Sequence, residues 1–324
     1  MTILCTGSVA FDYLMSFPGY FKDHILPDRL ESISLSFLVE SMIRQRGGNA
    51  PNIAYTLALL GGRPSVMATV GEDFGEYRAW LESRGVDTSN IREVRGTYTA
   101  SFFANTDRAN NQICSFYPGA MAFATQLSLH DLPDRPELVV ISPNDPGAMC
   151  QLVRECHALN LPYLYDPSQQ VVRLSPDDIR EGVTGADSLF VNEYEFELVQ
   201  KHTGMTPDQI IEQVGYLVVT LGAKGAAIYA DGHCYEVPAA TPRAILDPTG
   251  VGDAFRAGFI RGRQLGLPWE TCGKMGSLAA AYCLETRGPQ EHSFTLAEFV
   301  GRYREQFGDD GQVDILLENS LSPG

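Results

Sequence analysis

The sequence predicts an α/β protein: a doubly wound, mostly parallel sheet flanked by helices, with a small β-sheet standing off it as a lid. Three observations carry that expectation. Short apolar runs alternate with helix-forming stretches along much of the chain, the pattern of repeated strand–helix units. One interval, Thr97 to Tyr117, alternates polar with apolar or aromatic residues around Asp107-Arg108-Ala109-Asn110, which is the pattern of a β-hairpin. The length, 324 residues, suits one large α/β domain with a small appendage.

Taken in order, Ile3 to Ser8 predicts a buried first strand, with Val9 to Tyr13 as its turn. Phe17 to Arg46 reads as irregular chain carrying one exposed strand, Ile33 to Phe37. Pro51 to Leu60 is rich in helix formers, has proline in its first turn and stops at Gly61-Gly62, so it predicts a helix. A strand follows at Ser65 to Val70 and a helix at Glu76 to Arg84. The strand pattern resumes at Leu138 to Ser142, Leu161 to Asp166, Ser188 to Asn192 and Tyr216 to Leu221. The tail beyond Asp309 is expected to fray.

Composition narrows the function classes. Hydrophobic residues make up 44% and charged residues 20% of the chain, and no apolar run nears the ~18 residues of a membrane span. The first residues lack the basic and apolar segments of a secretory signal, so the chain is expected in the cytoplasm, away from membranes. A net charge of −16 argues against nucleic acid as a partner. The seven cysteines (Cys5, Cys114, Cys150, Cys156, Cys234, Cys272, Cys283) are scattered and read as buried thiols. The histidines show no zinc-binding spacing. Were so acidic a chain to handle a nucleoside triphosphate, it would need Mg²⁺, backbone amides and a few placed cations to offset repulsion.

The stretch from Leu246 to Phe259 offers those amides. Gly250 and Gly252 let the backbone bend around an anion, and the start of the following helix directs free N–H groups outward. Asp253 stands in the same turn, where its carboxylate can take a proton from a hydroxyl while a phosphoryl group rests on the amides of Gly250, Val251 and Gly252. A structural turn capped by aspartate would have the same local sequence. Arg46-Gly47-Gly48-Asn49-Ala50-Pro51-Asn52 sets two glycines before a helix. Gly7-Ser8 and Asp12 follow the first strand, at the carboxyl edge where open α/β sheets bind ligands. Asn192-Glu193-Tyr194-Glu195 and Thr220-Leu221-Gly222-Ala223-Lys224-Gly225 follow later strands, and each also suits an ordinary helix start or turn.

Together these motifs resemble the ribokinase-like, or phosphofructokinase B, family. Asp247 to Asp253 resembles its D-T-x-G-A-G-D signature, with Pro248 interposed and Val251 in place of alanine. Gly47-Gly48 with Asn52 resembles its G-G-x-x-x-N sugar motif. Asn192 with Glu195 resembles its N-x-x-E, and Thr220 to Gly225 its T-x-G-x-x-G. Over nearly the whole chain the likeness is to the adenosine kinases of actinobacteria, carried also by Ser115 to Met121, Asp166 to Gln170 and Glu285 to Glu291.

That resemblance implies one kinase domain over residues 1–324, with a discontinuous lid from about 14–46 and 96–120. It implies ATP-dependent phosphorylation of the adenosine 5′-hydroxyl, with Asp253 as base. Ser8, Asp12, Gly48 and Asn52 would hold the ribose, and Phe102 and Phe116 would stack on adenine. Gln169, Gln170 and Arg173 would reach base or phosphate, while Asn49 would alter the nucleoside preference. Asn192, Thr220, Gly222, Lys224 and Gly225 would serve ATP. Glu195 would order Mg²⁺ through water. Asp247 and Thr249, with the 287–290 segment, mark a K⁺ site, and a homodimer would form through the lid. A broader nucleoside kinase, a sugar kinase of the same fold and a non-catalytic nucleoside-binding protein remain as alternatives.

Overall fold

The computed structural model describes residues 2–25 and 34–318. Nine strands form the main sheet. Seven of them run parallel, in the spatial order Tyr216–Thr220, Ser188–Asn192, Tyr163–Tyr165, Leu138–Ile141, Ile3–Thr6, Pro64–Val70 and Ile91–Glu93. Ala226–Ala230 and His233–Val237 extend one edge antiparallel. Alternation along each strand divides the core between the two faces of the sheet. Ile3, Cys5, Val140 and Val218 pack into one cluster, and their neighbours Leu4, Val139, Ile141, Leu217 and Val219 into the other.

Helices Asn49–Leu59, Val251–Gln264 and Trp269–Leu284 cover the first face. Pro146–Leu159, Pro176–Val183 and Glu193–Thr203 cover the second. The first strand in sequence lies inside the sheet, with later strands added on either side of it. The strand order therefore switches beside its carboxyl end, which is where a doubly wound sheet opens a crevice.

A second sheet of four strands has the order Ser41–Gly47, Ala10–Ser16, Ala100–Thr106, Gln112–Tyr117. It corrects two sequence expectations. The chain after Val9 is a central strand of this sheet, because Ala10–Ser16 pairs along its full length on both sides. The outer strand is Ser41–Gly47, whereas residues 34–37 form no strand and Ile33 lies outside the described residues. Phe37 instead packs its ring against Phe17, Phe21 and His24.

Two further expectations change. Only Cys5, Cys156, Cys272 and Cys283 are buried; Cys150 is half-buried, and Cys114 and Cys234 are exposed on outer strands. The chain past Asp309 remains packed through Glu318, because Val313 and Leu316 enter the core. Among the described residues no helix is long and apolar enough to cross a membrane.

Candidate active site

A polar cavity of about 210 Å³ opens at the carboxyl ends of the main strands. Asn192 and Thr220 end two of those strands, and Ser168 starts the turn after a third. The remaining walls are Asn49, Glu195 and the stretch from Gly250 to Arg256. A second cavity, of about 390 Å³, borders Ile3, Leu138 and Tyr216 at the opposite, amino ends of the strands, away from these groups.

Gly250 caps the helix Val251–Gln264 with φ of 75°, and a Cβ there would lie 2.3 Å from Pro289 Cβ. Only glycine suits that turn. The first-turn amides lack intrahelical acceptors, so this helix start can receive an anion. Gly48 meets a similar limit at the head of Asn49–Leu59: φ is 99°, and a Cβ would press within 2.4 Å of the Ser8 carbonyl oxygen. The two turns thereby bring Asn49 and Asn52 against Asp253.

Asp253 is buried and held from both sides. Asn49 Nδ2 donates to its Oδ1 at 3.0 Å, and Asn52 Nδ2 donates to its Oδ2 at 2.9 Å. Burial pushes its pKa up, opposed by the Arg256 guanidinium and by the two amide hydrogen bonds. Arg256 is itself buried and paired with Asp166, its Nε 2.6 Å from Oδ2. A positive charge thus sits one helical turn below Asp253, within an acidic chain.

The other expected residues divide into those brought to the cavity and those that are not. Ser8 bonds Asn49 through its hydroxyl at 3.2 Å. Asn192 and Glu195 form a capping box, and Glu195 Oε1 also accepts from Ser168 Oγ at 3.2 Å. Gln169 and Arg173 are exposed and Gln170 is buried, and none of the three borders the cavity; Ser168 does. Gly222 faces open space, while a Cβ on Gly225 would collide with the Val237 carbonyl, so loop packing already accounts for that glycine. Lys224 is exposed and lies 3.8 Å from Glu193.

Asp12, Phe102 and Phe116 stand in one cross-strand row of the small sheet together with Gln45. Partners in such a row share a face. Gln45 meets the 286–290 segment, since a Cβ on Gly288 would lie 3.2 Å from its side chain. Asp12 is pushed up to about 6 by burial and by the nearby Asp247 carboxylate. Asp247 accepts from the Thr249 amide at 2.9 Å and from the Gly288 amide at 3.0 Å, clamping the turn before Val251–Gln264 to that segment.

Sequence reasoning gave no role to Arg256 or Ser168, placed Gln290 only in a segment marking a K⁺ site, and read Asn49 as tuning the nucleoside preference rather than as a partner of Asp253. The spacing of three between Asp253 and Arg256 was an available signal, because it puts both on one helix face. Asn49 and Gln290 gave none, since their partners lie far away in sequence.

Among the described residues no group of three or more His, Cys, Asp or Glu side chains could hold a metal. The donor set at the cavity, Glu195 and Asp253 among amides and hydroxyls, fits a cation that keeps waters and is shared with phosphates.

Comparison with known proteins agrees with this geometry. Residues 19–295 match the model of the pfkB family carbohydrate kinases. A nucleoside kinase of Methanothermobacter thermautotrophicus is 31% identical over 310 residues, covering 94% of this chain and 96% of that protein. The structure of Burkholderia thailandensis nucleoside kinase in complex with inosine superposes with a TM-score of 0.85 at 35% identity, covering 95% of this chain and 99% of that one. Adenosine kinase from Sinorhizobium meliloti shares the fold, with a TM-score of 0.70 at 22% identity over 94% of this chain and 98% of its own. The match over most of its length shows that the chain belongs to the pfkB family of carbohydrate kinases and is an ATP-dependent kinase of the ribokinase fold acting on a hydroxyl group.

Proposed function

We propose that this kinase phosphorylates nucleosides, transferring the γ-phosphoryl group of ATP to the 5′-hydroxyl of a purine nucleoside, adenosine among them. The observation that carries the reading is Asp253: a buried carboxylate fixed by two asparagine amides at the start of the helix whose free N–H groups form the anion site. Asp253 takes the hydroxyl proton as the oxygen attacks the γ-phosphorus. The amides of Gly250, Val251 and Gly252 receive the charge on the moving group, with Arg256 as the nearest placed cation. Asn192 and Glu195 would hold Mg²⁺ through waters, and the bound cation would neutralise charge on the phosphates. For K⁺ the donors at hand are Asp247 and the Thr249 carbonyl, and such a site would reinforce the clamp Asp247 already makes.

The choice of a nucleoside rests on the row Gln45, Asp12, Phe102, Phe116. A carboxylate for ribose hydroxyls beside two rings for a base suits a nucleoside better than a free hexose. Similarity to nucleoside kinases, one of them solved in complex with inosine, favours a purine acceptor broader than adenosine alone. In this reading the small sheet acts as a lid over the acceptor. Its outer strands leave Met42, Ile43 and Ile113 exposed, which supports pairing of two lids in a homodimer.

One coupled assay tests the function. ADP release is measured with adenosine, inosine, guanosine, cytidine, ribose and fructose as acceptors. The proposal requires the purine nucleosides to give the highest kcat/KM; preference for a free sugar would replace it with a sugar kinase. Sedimentation at micromolar concentration tests the pairing, and a strictly monomeric species would exclude it.

A further inference from the structure

Asn52 and Gln290 meet beside Asp253 although 238 positions separate them. Gln290 Nε2 donates to Asn52 Oδ1 at 2.9 Å and also to the Tyr77 hydroxyl. Asn52 Nδ2 donates to Asp253 Oδ2 at 2.9 Å, and Tyr77 Oη donates to the Gly47 carbonyl at 3.0 Å. All four side chains belong to buried residues, so bulk water does not compete for these bonds.

The polarity of the chain follows from one charge. An ionised carboxylate only accepts, so Asn52 must turn its N–H₂ toward Asp253 and its oxygen away. That oxygen then needs a donor, which obliges Gln290 to present its own N–H₂. The same group donates to Tyr77, whose hydroxyl hydrogen is thereby sent on to Gly47. A reversed Asn52 amide would bury its oxygen against the carboxylate, with two acceptors facing each other. Asn49, the other amide on Asp253, is held separately by Ser8, so only the Oδ2 side depends on Gln290. Gln290 Oε1 is buried without a hydrogen-bond partner, a cost to stability that a residue kept for packing alone would avoid.

We propose that Gln290 is a positioning residue for phosphoryl transfer: by fixing the orientation of the Asn52 amide it holds the Asp253 carboxylate in the attitude that accepts the hydroxyl proton. The proposal rests on the reading of Asp253 as the base.

The test uses Gln290→Met, which keeps the length of the side chain and removes the donor, assayed with inosine and ATP. With cooperative melting retained, kcat is expected to fall about tenfold, inside the ~10²-fold that a 1 Å misplacement can cost. KM for inosine and for ATP should not move. In an Asn52→Ala background the same substitution should have no further effect on kcat, because the route it acts through is gone. Unchanged kcat in the single variant, a loss confined to KM, or full additivity with Asn52→Ala would each overturn the proposal. Should Gln290→Met fail to melt cooperatively, Tyr77→Phe removes the second acceptor while keeping the ring. It should lower kcat to a smaller extent at constant KM, and an unchanged kcat would count against the proposal equally. Asp253→Asn run alongside separates the two readings. Normal turnover there removes the base assignment itself, whereas a fully active Gln290→Met beside an inactive Asp253→Asn removes only the positioning role.

Discussion

At one end of the cavity, Asp253 has a donor on each oxygen, Asn52 is bonded on both sides, and Arg256 is paired with Asp166. On the small sheet, Asp12, Gln45, Phe102 and Phe116 share one face, yet none of the four has a side-chain hydrogen bond among the described residues. The difference separates two tasks. In the mechanism proposed above, the groups that would bear changing charge are fixed by the fold beforehand, so little reorganisation is left for the reaction itself. The small-sheet groups that the same proposal assigns to the acceptor are left open for it to complete.

If that division is right, breaking the first region should damage the folded chain, and breaking the second should spare it. The largest effect on stability is expected from Arg256→Ala. It leaves Asp166, which burial already pushes up to about 7 with its partner present, without a counter-charge in the interior, a loss of about 3–5 kcal/mol for a broken buried pair. Chemical denaturation would measure it, and a shift typical of a surface residue would contradict the fixed character of this end.

Phe116→Ala comes next. The ring is 50% exposed, so its loss should leave the denaturation midpoint in place while weakening nucleoside binding by about 1–3 kcal/mol, the worth of one stacked base. Calorimetric titration with inosine and with ATP would separate the cases; equal weakening of both ligands would make the ring a structural one.

The smallest effect concerns Asp12. Its folded pKa, about 6, lies above that of an unfolded aspartate, so the native state binds the extra proton and loses stability as pH rises from about 4 through 6. Asp12→Asn removes that penalty. The variant should gain stability at pH 8 relative to its difference from the parent chain at pH 4. An equal difference at both values would mean that Asp12 titrates normally.

Legibility in the sequence follows the same division. The main strands were readable because burial on both faces makes them apolar runs, as in Leu138–Ile141 and Tyr216–Thr220. The turn from Asp247 to Asp253 was readable because its chemistry is local: glycines, helix start and carboxylate lie within a few residues. Ser41–Gly47 was not, since a strand reading Ser-Met-Ile-Arg-Gln-Arg-Gly on an exposed edge has no apolar alternation to betray it. Ile33 to Phe37 has that alternation, yet its described residues, 34–37, form no strand. Gln290 and Asn49 were invisible for another reason: each acts through a partner about 200 or more positions away, and only the closed fold brings them together.

The most direct measurement is single-turnover and binding analysis of Asp253→Asn. The substitution keeps the side chain's size and can still hydrogen-bond, but it removes the proton acceptor. The account predicts that inosine and ATP bind as before while turnover falls by about 10²–10⁴, the range for loss of a general base. Near-normal turnover with unchanged affinities would reduce Asp253 to a helix-terminal residue and contradict the mechanism.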